Sequence, residues 1–226
     1  MAHFTRALFS FLRDLAEHND RDWFQAHKER YESEVLEPCL AFVTDMGPRL
    51  ADLSPHFLAI PKKQGGSLFR IHRDVRFSKD KSPYKTNVAM HFRHEQASRD
   101  VHAPGFYLHL EPGDVGVGAG SWRPDPAALA HIRSRIATDP DGWQAVRGAL
   151  EEGGLSFMGE SLKRPPKGYD KDHPLIEDLK RKDFAVHFKL SEAAVLAEDF
   201  LDQVVDGFGR SAPLVRYLCE TQSLPY

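Results

Sequence analysis

Residues 105–121, "GFYLHLEPGDVGVGAGS", decide the fold. Phe106, Leu108 and Leu110 alternate with Tyr107, His109 and Glu111, and after a Pro-Gly-Asp turn Val115, Val117 and Ala119 alternate with glycines. A period of two with one apolar set predicts a strand pair, one face buried and the other polar. The pattern extends upstream. Val88, Met90 and Phe92 alternate with Asn87, Ala89, His91 and Arg93. Before them, after a Gly65-Gly66 turn, Phe69, Ile71, Val75 and Phe77 alternate with Arg70, His72, Asp74 and Arg76. Four strands with short links predict an antiparallel meander.

The flanks read as helix. Leu8, Phe11, Leu12 and Leu15 follow the spacing of one helical face, and Asn19-Asp20 breaks and re-caps the chain. A second helical stretch runs from about Asp20 toward Leu50, with Pro38 marking a kink or a new first turn. Beyond Pro124, Ala128, Leu129, Ile132 and Ile136 share a face; Asp139-Pro140 opens another helix and Gly153-Gly154 closes it. The loop "KRPPKGYDKDHP" leads to a short helix near Leu175–Leu179, "DFAVHFKL" predicts a further strand, and Ser191 caps helical sequence running almost to the C-terminus. This order predicts an α+β fold: a central, mainly antiparallel sheet with helices packed on one face, an N-terminal helical pair and a C-terminal helix. One domain is expected over 1–226, with a helical segment at about 4–53, the sheet and its basic motif at about 66–122, and a helical part at about 124–226.

Composition narrows the function classes. The 226 residues are 41% hydrophobic and 28% charged, an ordinary globular profile. No run approaches the ~20 apolar residues of a membrane span, and the charged, periodic N-terminus does not read as a signal peptide. Two distant cysteines, Cys39 and Cys219, make neither a disulfide framework nor a metal knuckle, so a cytoplasmic location is expected. The net charge of −3 hides an asymmetry: Lys62–Asp100 holds ten Lys/Arg against four acids, while the remainder holds 20 basic and 29 acidic residues. A basic island in an acidic chain points to a localised anion site rather than a general nucleic-acid surface.

The island centres on residues 70–86, "RIHRDVRFSKDKSPYKT". Arginine forks pair with phosphate or carboxylate through two parallel hydrogen bonds. Arg70, Arg73, Arg76 and Lys81 are therefore the expected ligand-binding cations, with Tyr84 orienting the ligand and His91, Tyr107 and His109 contributed by the polar sheet face. Asp74 or His72 would be the acid or base if a reaction follows. Arg73 falls out of phase with a strand, so either a bulge re-aims it or an acid such as Asp74 or Asp80 pairs with it. His72, His91 and His109 have no spacing that dictates a ligand set, so no metal site and no cofactor is assigned. "GVGAG" at 116–120 lacks the Lys-Ser/Thr of a phosphate loop, and close approach of a neighbouring chain explains it better.

Arg70, Arg73, Asp74, Arg76, Phe77, Asp80, Lys81, Pro83 and Tyr84 together form "RxxRDxRF…DKxPY", which resembles the signature of a bacterial family known as domain of unknown function 2461. "NDRDWF" (19–24), "GFYLHL" (105–110) and "GAGSWRP" (118–124) extend the resemblance over most of the chain. It implies no activity and no catalytic residues. The expected function is a pocket for a small phosphate- or carboxylate-bearing molecule, with enzymatic action on that molecule open. The alternatives are a non-catalytic nucleic-acid or protein-binding module and a purely structural Arg/Asp network. No membrane partner is expected, and the sequence leaves the oligomeric state undefined.

Overall fold

The computed structural model describes residues 2–97 and 100–226. Helix α1 (Arg6–Glu17) begins where the Thr5 hydroxyl accepts the Ala7 amide, and it buries Leu8, Phe9, Phe11, Leu12 and Leu15. The chain then breaks, and the Asp20 carboxylate accepts the Trp23 amide at 2.8 Å to open α2 (Arg21–Ala26). Helix α3 (Lys28–Tyr31), a π-helical turn (Glu32–Leu36) and α4 (Glu37–Leu53) continue the run. Pro38 brings no N–H to the helical ladder, and the wide turn lies immediately ahead of it. The expected helical pair is thus α1 against one interrupted run.

Six strands follow: β1 (Phe57–Leu58), β2 (Val88–His94), β3 (Gly105–Glu111), β4 (Asp114–Ser121), β5 (Ser156–Met158) and β6 (Phe184–Leu190). They form one sheet in the order β1-β2-β3-β4-β6-β5, antiparallel throughout. Between β4 and β6 lie α5 (Pro126–Thr138), α6 (Pro140–Glu152) and α7 (Ile176–Leu179). The Asp125 and Asp139 carboxylates cap the first two. Gly154, at φ +69°, turns the chain out of α6. Ser191 caps only the short α8 (Glu192–Val195), and the long terminal helix α9 (Phe200–Thr221) starts after a break.

The buried side of the sheet carries Met90, Phe92, Phe106, Leu108, Leu110, Val115, Val117 and Ala119, the alternate residues that the pattern assigned to the core, together with Phe184 and Val186 of β6. Helix α9 lies across it. Phe208 packs its ring 4.9 Å from Phe106 and 5.7 Å from Phe92. Gly207 brings the helix down onto Val117 and Phe188, where a Cβ would press into the Phe188 ring. Each large apolar side chain so buried stabilises the fold by about 1.5–3 kcal/mol.

One expected strand is corrected. Residues 69–77 form no strand. Only residues 67–69 run beside β2, with Phe69 N–H donating to Ala89 O and His91 N–H donating to Ser67 O, at 2.9 and 2.8 Å. Farther along β2, at Arg93 and His94, the same edge is occupied by β1. The chain instead leaves the sheet as a finger zipped onto itself, through Lys85 N–H to Ile71 O (2.8 Å) and Arg73 N–H to Pro83 O (2.9 Å). Its apolar alternation has no surface to meet: Ile71 is buried, whereas Phe77 is 96% exposed. The finger is clasped at its base by Asn19, whose amide accepts the Tyr84 N–H at 3.0 Å and donates to the Tyr84 carbonyl at 3.1 Å. The Tyr84 ring stacks on Phe24 at 4.1 Å.

Asn19→Ala leaves both backbone groups of Tyr84 without this partner and is expected to lower unfolding stability by about 1–3 kcal/mol. Urea denaturation measures the change, and limited proteolysis should cut first within residues 70–86. Unchanged stability would show that the clasp holds nothing.

Candidate functional site

The face of the sheet opposite the helices is built from residues in register. His91 pairs with Tyr107, Tyr107 with Gly118 and Gly118 with His187. The row on one side is Ala89, His109, Gly116 and Lys189; the row on the other is Arg93, Gly105, Gly120 and Ala185. Strand β4 therefore sends three successive glycines to this face. One of them makes room for a ring, since a Cβ on Gly116 would strike the His187 imidazole; Gly105 on β3 does the same for His91. Gly120 has φ +118°, which an L side chain rarely adopts. Gly118 differs. A Cβ there would make only ordinary contacts, with Val186 O at 3.5 Å and Tyr107 at 3.8 Å.

The bare strand forms the floor of a groove of about 400 Å³. Phe69, His91 and Tyr107 wall one side, the segment Val101–Ala103 closes an end, and Trp122 and Met158 stand opposite. The lining is mainly apolar. Phe69 lies nearly parallel to His91, with centroids 6.2 Å apart, and Tyr107 meets both rings edge-on. His102 is fixed by a 2.8 Å contact between its Nδ1 and the Trp122 carbonyl oxygen. Burial, with Arg93 nearby, pushes the His91 imidazole down to about 4, and burial raises the Tyr107 phenol. At neutral pH the groove therefore offers uncharged hydrogen-bonding groups. Cations stand at its rim: Arg93 shares a row with Gly105, and the Lys85 ammonium lies 5.1 Å from the Phe69 ring centre.

The basic motif is arranged as a set of local pairs along the finger. The Arg76 fork is taken by Asp74, with Nη2–Oδ2 at 2.7 Å and Nε–Oδ1 at 2.9 Å, out in solvent. Arg76 donation holds the Asp74 carboxyl down at about 2, so that group is no proton acceptor near neutrality. Arg73 pairs with Asp80, whose carboxyl is held well below the usual range by the Ser82 hydroxyl and then by Arg73. Lys81 donates to the Val75 carbonyl at 2.9 Å, and Lys85 to the Arg70 carbonyl at 3.0 Å. Arg70 is exposed and, among the described residues, has no ion-pair partner. His72 packs on Tyr84 with centroids 5.2 Å apart, and neither His72 nor Asp74 lines the groove. A second hollow of about 340 Å³ lies at the finger base, bordered by Arg73, Asp80, Lys85 and Asn87.

Of the expected residues, His91 and Tyr107 do share the groove, and His109 adjoins it, its Nδ1 3.4 Å from the Tyr107 hydroxyl. Phe69, His102, Gly118, Trp122 and Met158 were not singled out. The period-two run of glycines was the available signal, because it strips side chains from one face of a strand.

A family model described as a conserved hypothetical protein (DUF2461) matches residues 7–217 of the chain. The chain belongs to this family. No curated protein and no solved structure matches it. For this DUF2461 chain the site must therefore be argued from its own geometry.

The His91 shift has a sign that can be checked. Its folded value, about 4, lies below the ordinary ~6.5, so the unfolded chain binds more protons between those limits. Stability should be unaffected by this group above about pH 6.5 and fall by up to about 3 kcal/mol as the pH drops toward 4. Denaturant titrations of wild type and His91→Gln across that window test this, and the variant should lose that part of the slope.

Proposed function

We propose that the groove binds a small organic anion with a flat apolar body. The observation that carries this reading is the unfilled floor at Gly118, beneath aromatic walls and beside uncharged His91 and Tyr107. Flat apolar matter suits the floor and the rings of Phe69 and Trp122. A carboxylate or phosphate suits the rim, where Arg93 and Lys85 retain donors: Arg93 uses one nitrogen on the Gly66 carbonyl at 3.3 Å, and Lys85 one proton on Arg70. Catalysis on such a ligand would fall to His91 or Tyr107 as proton carriers rather than to Asp74 or His72. The anionic ligand and the polar sheet face thus stay within the expectation from sequence, while the cations change from Arg70, Arg73, Arg76 and Lys81 to Arg93 and Lys85.

Titration with 2-naphthoate and with the uncharged 2-naphthalenemethanol, followed by calorimetry, tests both halves of the reading. The anion should bind at least about tenfold more tightly, the scale of one hydrogen bond to a charged group. Gly118→Val should abolish both, and Gly118→Ala, whose Cβ meets only ordinary contacts and which removes a glycine from a strand, should leave stability unchanged or slightly raised. Affinity indifferent to Gly118→Val would refute the groove.

A second reading is favoured by one observation. Phe77 stands 96% exposed at the finger tip, 5.9 Å from the Arg76 guanidinium and flanked by Lys79. An exposed ring among cations is how single-stranded nucleic acid is gripped. That module predicts oligothymidylate binding that falls steeply with salt and is lost in Phe77→Ala. Binding absent at low salt, or untouched by the substitution, removes this reading.

A further inference from the structure

Next to the groove we infer a site for one divalent transition-metal ion of the zinc class, held by His109, Glu111 and Asp114, with His187 beside them. The ligand atoms of His109, Glu111 and Asp114 lie within 4.8 Å of one another. Glu111 and Asp114 are cross-strand partners at the β3–β4 turn, and His109 stands two residues back on the same face. A neighbouring imidazole comes from a separate feature of the fold. His187 belongs to the row of Gly118, yet its ring leans over Gly116, the residue opposite His109, and only glycine leaves room for it there. One imidazole and two carboxylates from two strands thus gather at one corner of the open face, with the His187 imidazole of a third strand beside them. That mixed nitrogen and oxygen set suits a borderline ion, and two carboxylates balance a dication.

The supporting contacts fix the ligands. Thr86 Oγ1 donates to Glu111 Oε1 at 3.0 Å, and His109 Nε2 lies 3.2 Å from Glu111 Oε2. On the far side of the ring, His109 Nδ1 is 3.3 Å from the Asn87 amide nitrogen and 3.4 Å from the Tyr107 hydroxyl. Without an ion, Nε2 carries the ring proton toward Glu111. With one, the ring proton sits on Nδ1, where Tyr107 Oη or the turned Asn87 amide oxygen accepts it, and Nε2 is freed to coordinate. Lys189, 3.9 Å from Asp114, opposes the ion.

The test uses the full chain, stripped with chelator and titrated with Zn²⁺ by calorimetry and with Co²⁺ by visible absorption. One equivalent should bind. Asp114→Asn, an exposed change that keeps the side-chain shape, and His109→Ala should each weaken binding at least about tenfold. His187→Ala should weaken it as well, Lys189→Ala should tighten it, and His72→Ala should leave it unchanged. Trp122→Ala, which removes a wall of the groove away from these ligands, should also leave it unchanged, so failure of the groove and failure of the metal site are separable. No stoichiometric binding, or equal affinity in wild type, Asp114→Asn and the His109→Ala/His187→Ala double variant, would overturn the assignment.

Discussion

The alternation along β4 is the constraint on which the rest depends. Val115, Val117 and Ala119 turn toward α9 and fix the buried side; Gly116, Gly118 and Gly120 turn the other way and leave that side without side chains. Because a strand repeats every two residues, the same eight residues make both the anchor of the core and the emptiness of the groove. A shift of one residue in register would drive the valines into the open face and put bare backbone against Phe208. The strand is interior, between β3 and β6, so both neighbours pin that register.

The cationic motif has a different logic. Exposed ion pairs such as Arg76–Asp74 contribute little, with a median of roughly 0–1 kcal/mol. The finger's shape comes instead from its own backbone pairing and from the partly buried Asn19–Tyr84–Phe24 contact. Charge concentrated in the sequence is thus not charge concentrated in a cavity: Arg73, Arg76 and Lys81 each have a partner within the finger. Near the groove stand Lys85, which donates to the Arg70 carbonyl and lies over the Phe69 ring, and Arg93, in the row of Gly105.

How much of this was legible follows from which interactions set each element. Strands β2, β3, β4 and β6 were readable because one face meets the helices and the other does not, which is the condition that writes period two into a sequence. Residues 69–77 carry the same alternation without that condition, since the sheet edge they would need is already partly taken by β1. Strands β1 and β5 have two and three residues, too few to show any period. The helix starts at Thr5, Asp20, Asp125 and Asp139 rest on local capping, so Asp20 and Asp139 could be placed from the sequence alone. His91 and Tyr107 were legible as members of the polar face. Trp122, Met158 and His102 were not, because they reach the groove from loops and from a strand brought in by long-range pairing.

The glycines themselves show which part of the face is structural and which is open. Each glycine in a strand forgoes about 0.5–1 kcal/mol relative to alanine. At Gly116 that loss is offset by the His187 ring that lies on it, at Gly105 by His91, and at Gly120 by a backbone conformation other residues resist. Nothing comparable offsets it at Gly118, where a methyl group would fit and the strand would gain from it. Packing and backbone geometry therefore account for every bare position on the face except the one at the centre of the groove. The space above Gly118 is the place where folding stability and residue choice disagree, which is why the proposed ligand is seated there.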